Sequence, residues 1–139
     1  MGLTTLTPML VLVCWTLVMW LWMYATRLPA MQKAGINPAT IKQKSDLDGL
    51  PIQVRQISDN YNHLHEQPVI FYALCVYAYT QGAMTELTVA AAWAYVGSRI
   101  AHSIFQSTIN YVPVRFALFL LGTLCLFLIA GVQVGALLA

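Results

Sequence analysis

Ionisable side chains are scarce in this chain, and those present recur at helical spacing. Arg55, Asp59, Asn62 and Glu66 are separated by four, three and four residues, which stacks them along one face of a helix, with His65 at its border. Arg99, His102, Ser103 and Gln106 follow the i, i+3, i+4, i+7 pattern and form a second stripe. Arg27 closes the first apolar run, and Arg115 follows Pro113 just inside the last one. Guanidinium groups bind carboxylates and phosphates through paired hydrogen bonds, so four of them at one level, facing few carboxylates, point to an anionic ligand. A pocket opening between lipid-facing helices would also admit a lipophilic molecule from the bilayer.

Structural readings compete with this one. An arginine at a helix end snorkels to the membrane interface without any function, which accounts for Arg27 and Arg115 equally well. Arg55, Asp59 and Glu66 are able to form an intramolecular ion pair that holds a bundle together. Arg99 and His102 are harder to explain by packing, because an ionisable group in a membrane helix costs about 2.5–3.5 kcal/mol at its centre and needs a polar partner or a water-filled cavity. His63 and His65 are two apart and point to different faces, so no metal site is expected from them. Cys14, Cys75 and Cys125 lie in separate apolar runs without CxxC spacing and read as small packing residues.

The elements that must position these side chains are membrane helices. Of 139 residues, 59% are hydrophobic and 9% charged, against roughly 25% charged in a soluble domain. The length allows a single domain, residues 1–139. A net charge of +2 with scattered basic residues excludes a nucleic-acid-binding stripe. Four spans are predicted, at about residues 6–26, 55–81, 86–106 and 113–138, each long enough to cross roughly 30 Å of hydrocarbon. The second is read as one long helix with a polar first half. Trp15, Trp20, Trp22 and Tyr24 fit an interfacial aromatic belt, and no basic residue precedes the first run as in a signal peptide.

Residues 28–50 carry Pro29, Gly35, Pro38, Lys33, Lys42, Lys44, Asp46 and Asp48, and read as a loop. The QGAMTE link that follows the second span has no basic residue. Positive-inside counting places the first and third loops in the cytoplasm and both termini on the opposite side. The fold class is therefore an all-α membrane protein, a four-helix bundle in which Ala90, Ala91 and Ala92 permit close helix approach.

Four segments, TRLPAMQKAGI, RQISDNYNHLHEQPVIFYAL, AYVGSRIAHSIFQ and VPVR, resemble in order and spacing the membrane-associated proteins in eicosanoid and glutathione metabolism. The resemblance covers nearly the whole chain and is that of a divergent, bacterial-type member. It implies a homotrimer of four-helix protomers, with glutathione bound between protomers near the cytoplasmic side and lipophilic electrophiles arriving from membrane lipid. Arg27, Asn62, Arg99 and His102 match ligand-binding positions of the family. Arg115 matches the arginine thought to stabilise the glutathione thiolate, and a nearby guanidinium does favour the ionised thiol. With Arg115 as the catalytic group, the binding set is Arg27, Arg55, Asn62, His65, Glu66, Arg99, His102 and Gln106, and no metal is implied. The chain departs from the better-known enzymes at Tyr61 in place of arginine, His65 in place of glutamate, and Gln106 and Phe119 in place of tyrosines.

Two functions follow. The first is a glutathione-dependent transferase or peroxidase acting on hydrophobic electrophiles. The alternative is a non-catalytic protein of the same fold whose polar stripes bind another anionic amphiphile or lipid, or serve assembly. Transport has less support, since neither an internal repeat nor an interrupted apolar segment is visible.

Overall fold

The computed structural model describes residues 4–81 and 84–139. The first three residues, and residues 82–83 of the QGAMTE link, lie outside the described residues. Five α-helices are present: α1 (Leu6–Ala34), α2 (Ile52–His63), α3 (Gln67–Gln81), α4 (Glu86–Ser107) and α5 (Val112–Leu138). Among the described residues, α1 and α5 are the two helices long and apolar enough to cross a membrane. At 15 residues, α3 rises about 22 Å and is short by itself, whereas the 22 residues of α4 reach about 33 Å but carry the polar stripe.

α1 is longer than expected. It continues through Pro29 and ends at Gly35, whose φ of 70° is left-handed. Gly35 N–H donates to Gln32 O at 3.3 Å and Ile36 N–H to Met31 O at 3.0 Å, the paired bonds of a Schellman ending. Residues 28–34 are thus helical rather than loop. Polar residues remove a helix from lipid without unwinding it, and one proline forfeits only a single main-chain bond. The loop proper starts at Ile36 and contains two short 3-10 turns, Pro38–Thr40 and Lys44–Leu47.

The second rod is broken rather than continuous. α2 stops at His63, residues 64–66 form a turn, and α3 starts at Gln67. Pro68 is the cause: it has no N–H for the carbonyl of Leu64, and its ring crowds that carbonyl. Across the turn the bonds tighten to the i−3 type, His65 N–H to Asn62 O at 3.0 Å and Glu66 N–H to His63 O at 3.2 Å.

Packing centres on Leu12, Met19 and Met23 of α1, Phe71 and Cys75 of α3, Tyr95 and Val96 of α4, and Ile129 of α5. Phe71 and Tyr95 stack with ring centroids 4.6 Å apart. α4 and α5 approach closely at Gly122, where a Cβ would lie 3.0 Å from Ser98 Oγ and 3.3 Å from the Tyr95 ring. Of the three alanines expected to allow close packing, Ala91 and Ala92 are buried and Ala90 is exposed. Cys75 and Cys125 are buried and Cys14 is exposed, all as free thiols.

Candidate functional site

The α4 stripe turns inward. Arg99, His102, Ser103 and Gln106 are all at most 5% exposed. α5 opens with Pro113 in its first turn and carries Arg115 just behind it, while the α2–α3 break presents His63, Glu66 and Gln67 to the same place. These residues enclose a cleft of about 330 Å³ whose polar wall is His63, Glu66, Gln67, Arg99, His102 and Arg115, and whose lip is Val112, Phe116 and Phe119. Gln67 ties the wall together: its Nε2 donates to Thr123 Oγ1 at 2.8 Å, and Tyr95 donates its hydroxyl proton to Gln67 Oε1 at 3.3 Å.

The cations of this cleft are under-satisfied. Arg99 Nη2 reaches only the main-chain oxygen of His63, at 3.5 Å, and Arg99 Nε and His102 Nδ1 are buried without a hydrogen-bond partner. Arg115 Nη1 donates to Asn110 Oδ1 at 2.6 Å, and its Nε likewise lacks a partner. Buried charge is costly unless paired, so this set of donors suits an anion carrying several oxygens or a thiolate.

An adjoining cleft of about 340 Å³ shares His63, Glu66 and Arg115 with the first and adds Asp59, Asn62, Gln106 and Asn110 to its walls. Arg27 and Arg55 are elsewhere. Arg27, Lys42, Tyr61 and Asn62 line a cleft of about 490 Å³ under the α1–α2 loop, and Arg27 with Arg55 lines a smaller one of about 110 Å³. Arg27 Nη2 donates to Ser58 Oγ at 2.6 Å, and Arg55 approaches Asp48 at 3.9 Å. The expectation of four arginines in one pocket is therefore corrected within the single chain: α2 stands between Arg99 with Arg115 on one side and Arg27 with Arg55 on the other. The same pairing shows that Arg55 meets Asp48 in the loop rather than Glu66 along its own helix.

His65 lines neither of the Arg115 clefts. It turns back on α2, its Nδ1 lying 2.9 Å from Tyr61 O and its ring 4.7 Å from that of Tyr61. A carbonyl only accepts, so His65 Nδ1 is the protonated nitrogen. His63 is the residue that the stripe left out, although it stands three positions before Glu66, a neighbour spacing on any helix, and meets it at 3.2 Å.

Behind the cleft runs a polar seam between α2 and α4. Gln56 Nε2 donates to Thr108 O at 3.0 Å at one end, and Arg99 meets His63 O at the other. Antiparallel register between those two rungs sets Asn60 level with Ser103. Asn60 Nδ2 and Oδ1, Ser103 Oγ and Ser107 Oγ are buried there without partners, the arrangement that internal water satisfies.

Two of the described helices, α1 and α5, are long and apolar enough to cross a membrane, and together with the family match that follows they point to an integral membrane protein. The sequence profile of the MAPEG family matches residues 5–135, and the chain belongs to this family, whose members are membrane-embedded, generally trimeric and generally users of glutathione. Among curated proteins and solved structures, nothing matches the chain.

Proposed function

We propose that the protein is a glutathione-dependent transferase or peroxidase acting on lipophilic electrophiles within the membrane. The observation that carries this reading is the cleft in which the buried donors of Arg99, His102 and Arg115 sit beside an apolar lip of Phe116 and Phe119, which are 60% and 39% exposed. Arg99 and His102 hold the carboxylates of the tripeptide. Arg115 lies where charge develops on sulfur and lowers the thiol pKa, because a cation a few ångströms away favours the ionised form. The phenylalanine lip admits an electrophile from lipid and keeps water from the sulfur.

Asn62 touches both the Arg115 side and the Arg27 side of α2, which suits a site shared between copies in a homotrimer: Arg27, Arg55 and His65 of one copy would complete the site of another. On this reading the chain is one domain that crosses the membrane four times, through α1, α2–α3, α4 and α5. The first and third loops lie in the cytoplasm and both termini on the other side.

Glutathione titrated into the detergent-purified protein is expected to raise a thiolate absorbance, and an aryl halide to be conjugated, with both lost in Arg115→Ala. Absence of binding at millimolar glutathione overturns the reading. The exposed phenylalanines beside Arg115 also suit a lipid, with its headgroup on the cations and its chain on the lip. A co-purifying anionic lipid that added glutathione leaves in place would favour that second reading.

A further inference from the structure

We infer that His63, oriented by Glu66, is the proton acceptor for the thiol in the Arg115 cleft; this rests on the glutathione reading above. His63 is the last residue of α2, and it lines both clefts that Arg115 lines. Its Nδ1 is 3.2 Å from Glu66 Oε2. An ionised carboxylate only accepts hydrogen bonds, so Nδ1 holds the proton and Nε2 is left as a basic lone pair, the same orientation logic that prepares an imidazole for proton transfer in other dyads.

Arg115 and the imidazole then divide the work. A guanidinium stabilises a thiolate but cannot take its proton, because it is already fully protonated. His63 Nε2 takes the proton from the thiol S–H, and the S–H electron pair remains on sulfur. That pair forms the S–C bond to the electrophile as the leaving group departs with its own bonding pair, and the imidazolium returns the proton to the leaving group or to water. The groups facing His63 are Asp59 on its own helix, Glu66 in the turn, Arg99 and His102 on α4, and Arg115 on α5. Asp59 and Glu66 bring negative charge to this ring and Arg99 and Arg115 positive charge. His102 is less suited to the task, being 5% exposed where the His63 side chain is 43% exposed.

The test uses the intact detergent-purified protein and glutathione itself, with His63→Gln and Glu66→Gln. Thiolate formation is followed by absorbance, and proton release by a dye in weakly buffered medium near the imidazole range, about pH 6.5. In the wild-type protein fewer protons should reach the medium than thiolates form; in His63→Gln the ratio should rise to about one. In turnover, His63→Gln should lower kcat by about 100-fold at neutral pH. KM for glutathione should change little, and added imidazole should restore part of the rate. Glu66→Gln should fall between the two. Equal proton ratios and superimposable pH–rate profiles for wild type and His63→Gln overturn the assignment while leaving the glutathione reading intact. If the wild-type protein binds no glutathione, the functional reading fails and this assignment fails with it.

Discussion

Arg99 and His63 meet through a single long hydrogen bond, the guanidinium Nη2 lying 3.5 Å from the main-chain oxygen of His63. That carbonyl is offered to α4 because α2 ends there. In a continuous helix it would accept from the N–H of Gln67, but the turn before Pro68 assigns it Glu66 N–H instead and leaves it open to Arg99. One carbonyl at the limit of hydrogen bonding does not neutralise a guanidinium that is 1% exposed. The arrangement stores a demand for an anion.

Replacing Arg99 by methionine should therefore not destabilise the ligand-free protein. Removing an uncompensated buried charge in favour of an apolar side chain is neutral or stabilising by about 1–4 kcal/mol. Thermal unfolding in detergent should show an unchanged or raised Tm for Arg99→Met, together with loss of the stabilisation that glutathione gives the wild type. A large fall in Tm would mean the arginine is a structural strut.

Asn110 separates backbone effects from site effects. It is the non-glycine residue at positive φ, 55°, among the described residues, and its side chain holds Arg115 at 2.6 Å. Asn110→Gly keeps the backbone relaxed but releases Arg115, so stability should stay within about 0.5 kcal/mol while conjugation falls. Asn110→Ala loses both the tether and the permissive backbone, and unfolding should report a cost of about 1–2 kcal/mol.

Pro68→Ala restores an N–H for the Leu64 carbonyl and removes the ring that crowds it. The helix should extend through residues 64–66 with little change in Tm, because Pro68 stands in the first turn of α3, where proline is tolerated. The carbonyl of His63 would then return to the helix and leave Arg99. Glutathione affinity measured calorimetrically should fall while Tm stays close to that of the wild type.

Gly122 is held against groups that cannot move. Ser98 Oγ donates to Tyr95 O at 2.8 Å, and Tyr95 is stacked on Phe71. A methyl at position 122 would press on that hydroxyl at 3.0 Å, so Gly122→Ala should destabilise by about 1–3 kcal/mol. Adding Ser98→Ala removes the atom it meets and should recover most of the loss in a double-mutant cycle.

In the α1–α2 loop, Asp46 accepts N–H bonds from Lys42 at 2.9 Å and Gln43 at 3.2 Å. These two main-chain bonds, Lys42 first, hold its carboxyl below its ordinary value of 3.8. A depressed carboxylate contributes stability that is full above the unfolded pKa and is lost as pH falls through the lower folded one. Amide exchange at Lys42 and Gln43, corrected for intrinsic rates, should show protection above the ordinary carboxylate value that is lost as pH falls through the lowered one. Asp46→Asn should abolish the difference.

Much of the site was legible as spacing. Arg99, His102, Ser103 and Gln106 lie on an uninterrupted helix, so the i, i+3, i+4, i+7 rule placed them on one buried face. Pro113 marked the start of α5 and Arg115 its first turn. The rule fails where its premise fails. The predicted second helix is interrupted, α2 stopping at His63 and α3 starting at Gln67, and Arg55 and Glu66, eleven positions apart, pair with the nearer Asp48 and His63. Residues 28–34 failed in the opposite sense, because proline and lysine marked the exit from lipid and not the end of α1.

What the sequence by itself determined is the chemistry available: an apolar helical chain, a small set of guanidinium and imidazole groups, and their faces along each unbroken helix. Those follow from residue type and a local period of 3.6 residues, which need no knowledge of neighbours. Only the tertiary structure decided which groups share a cleft. That depends on where α2 stands between Arg99 and Arg27, and on the register of α2 against α4 that sets the His63 carbonyl beside Arg99. Both are relations between residues distant in sequence, and helical periodicity carries no information about either.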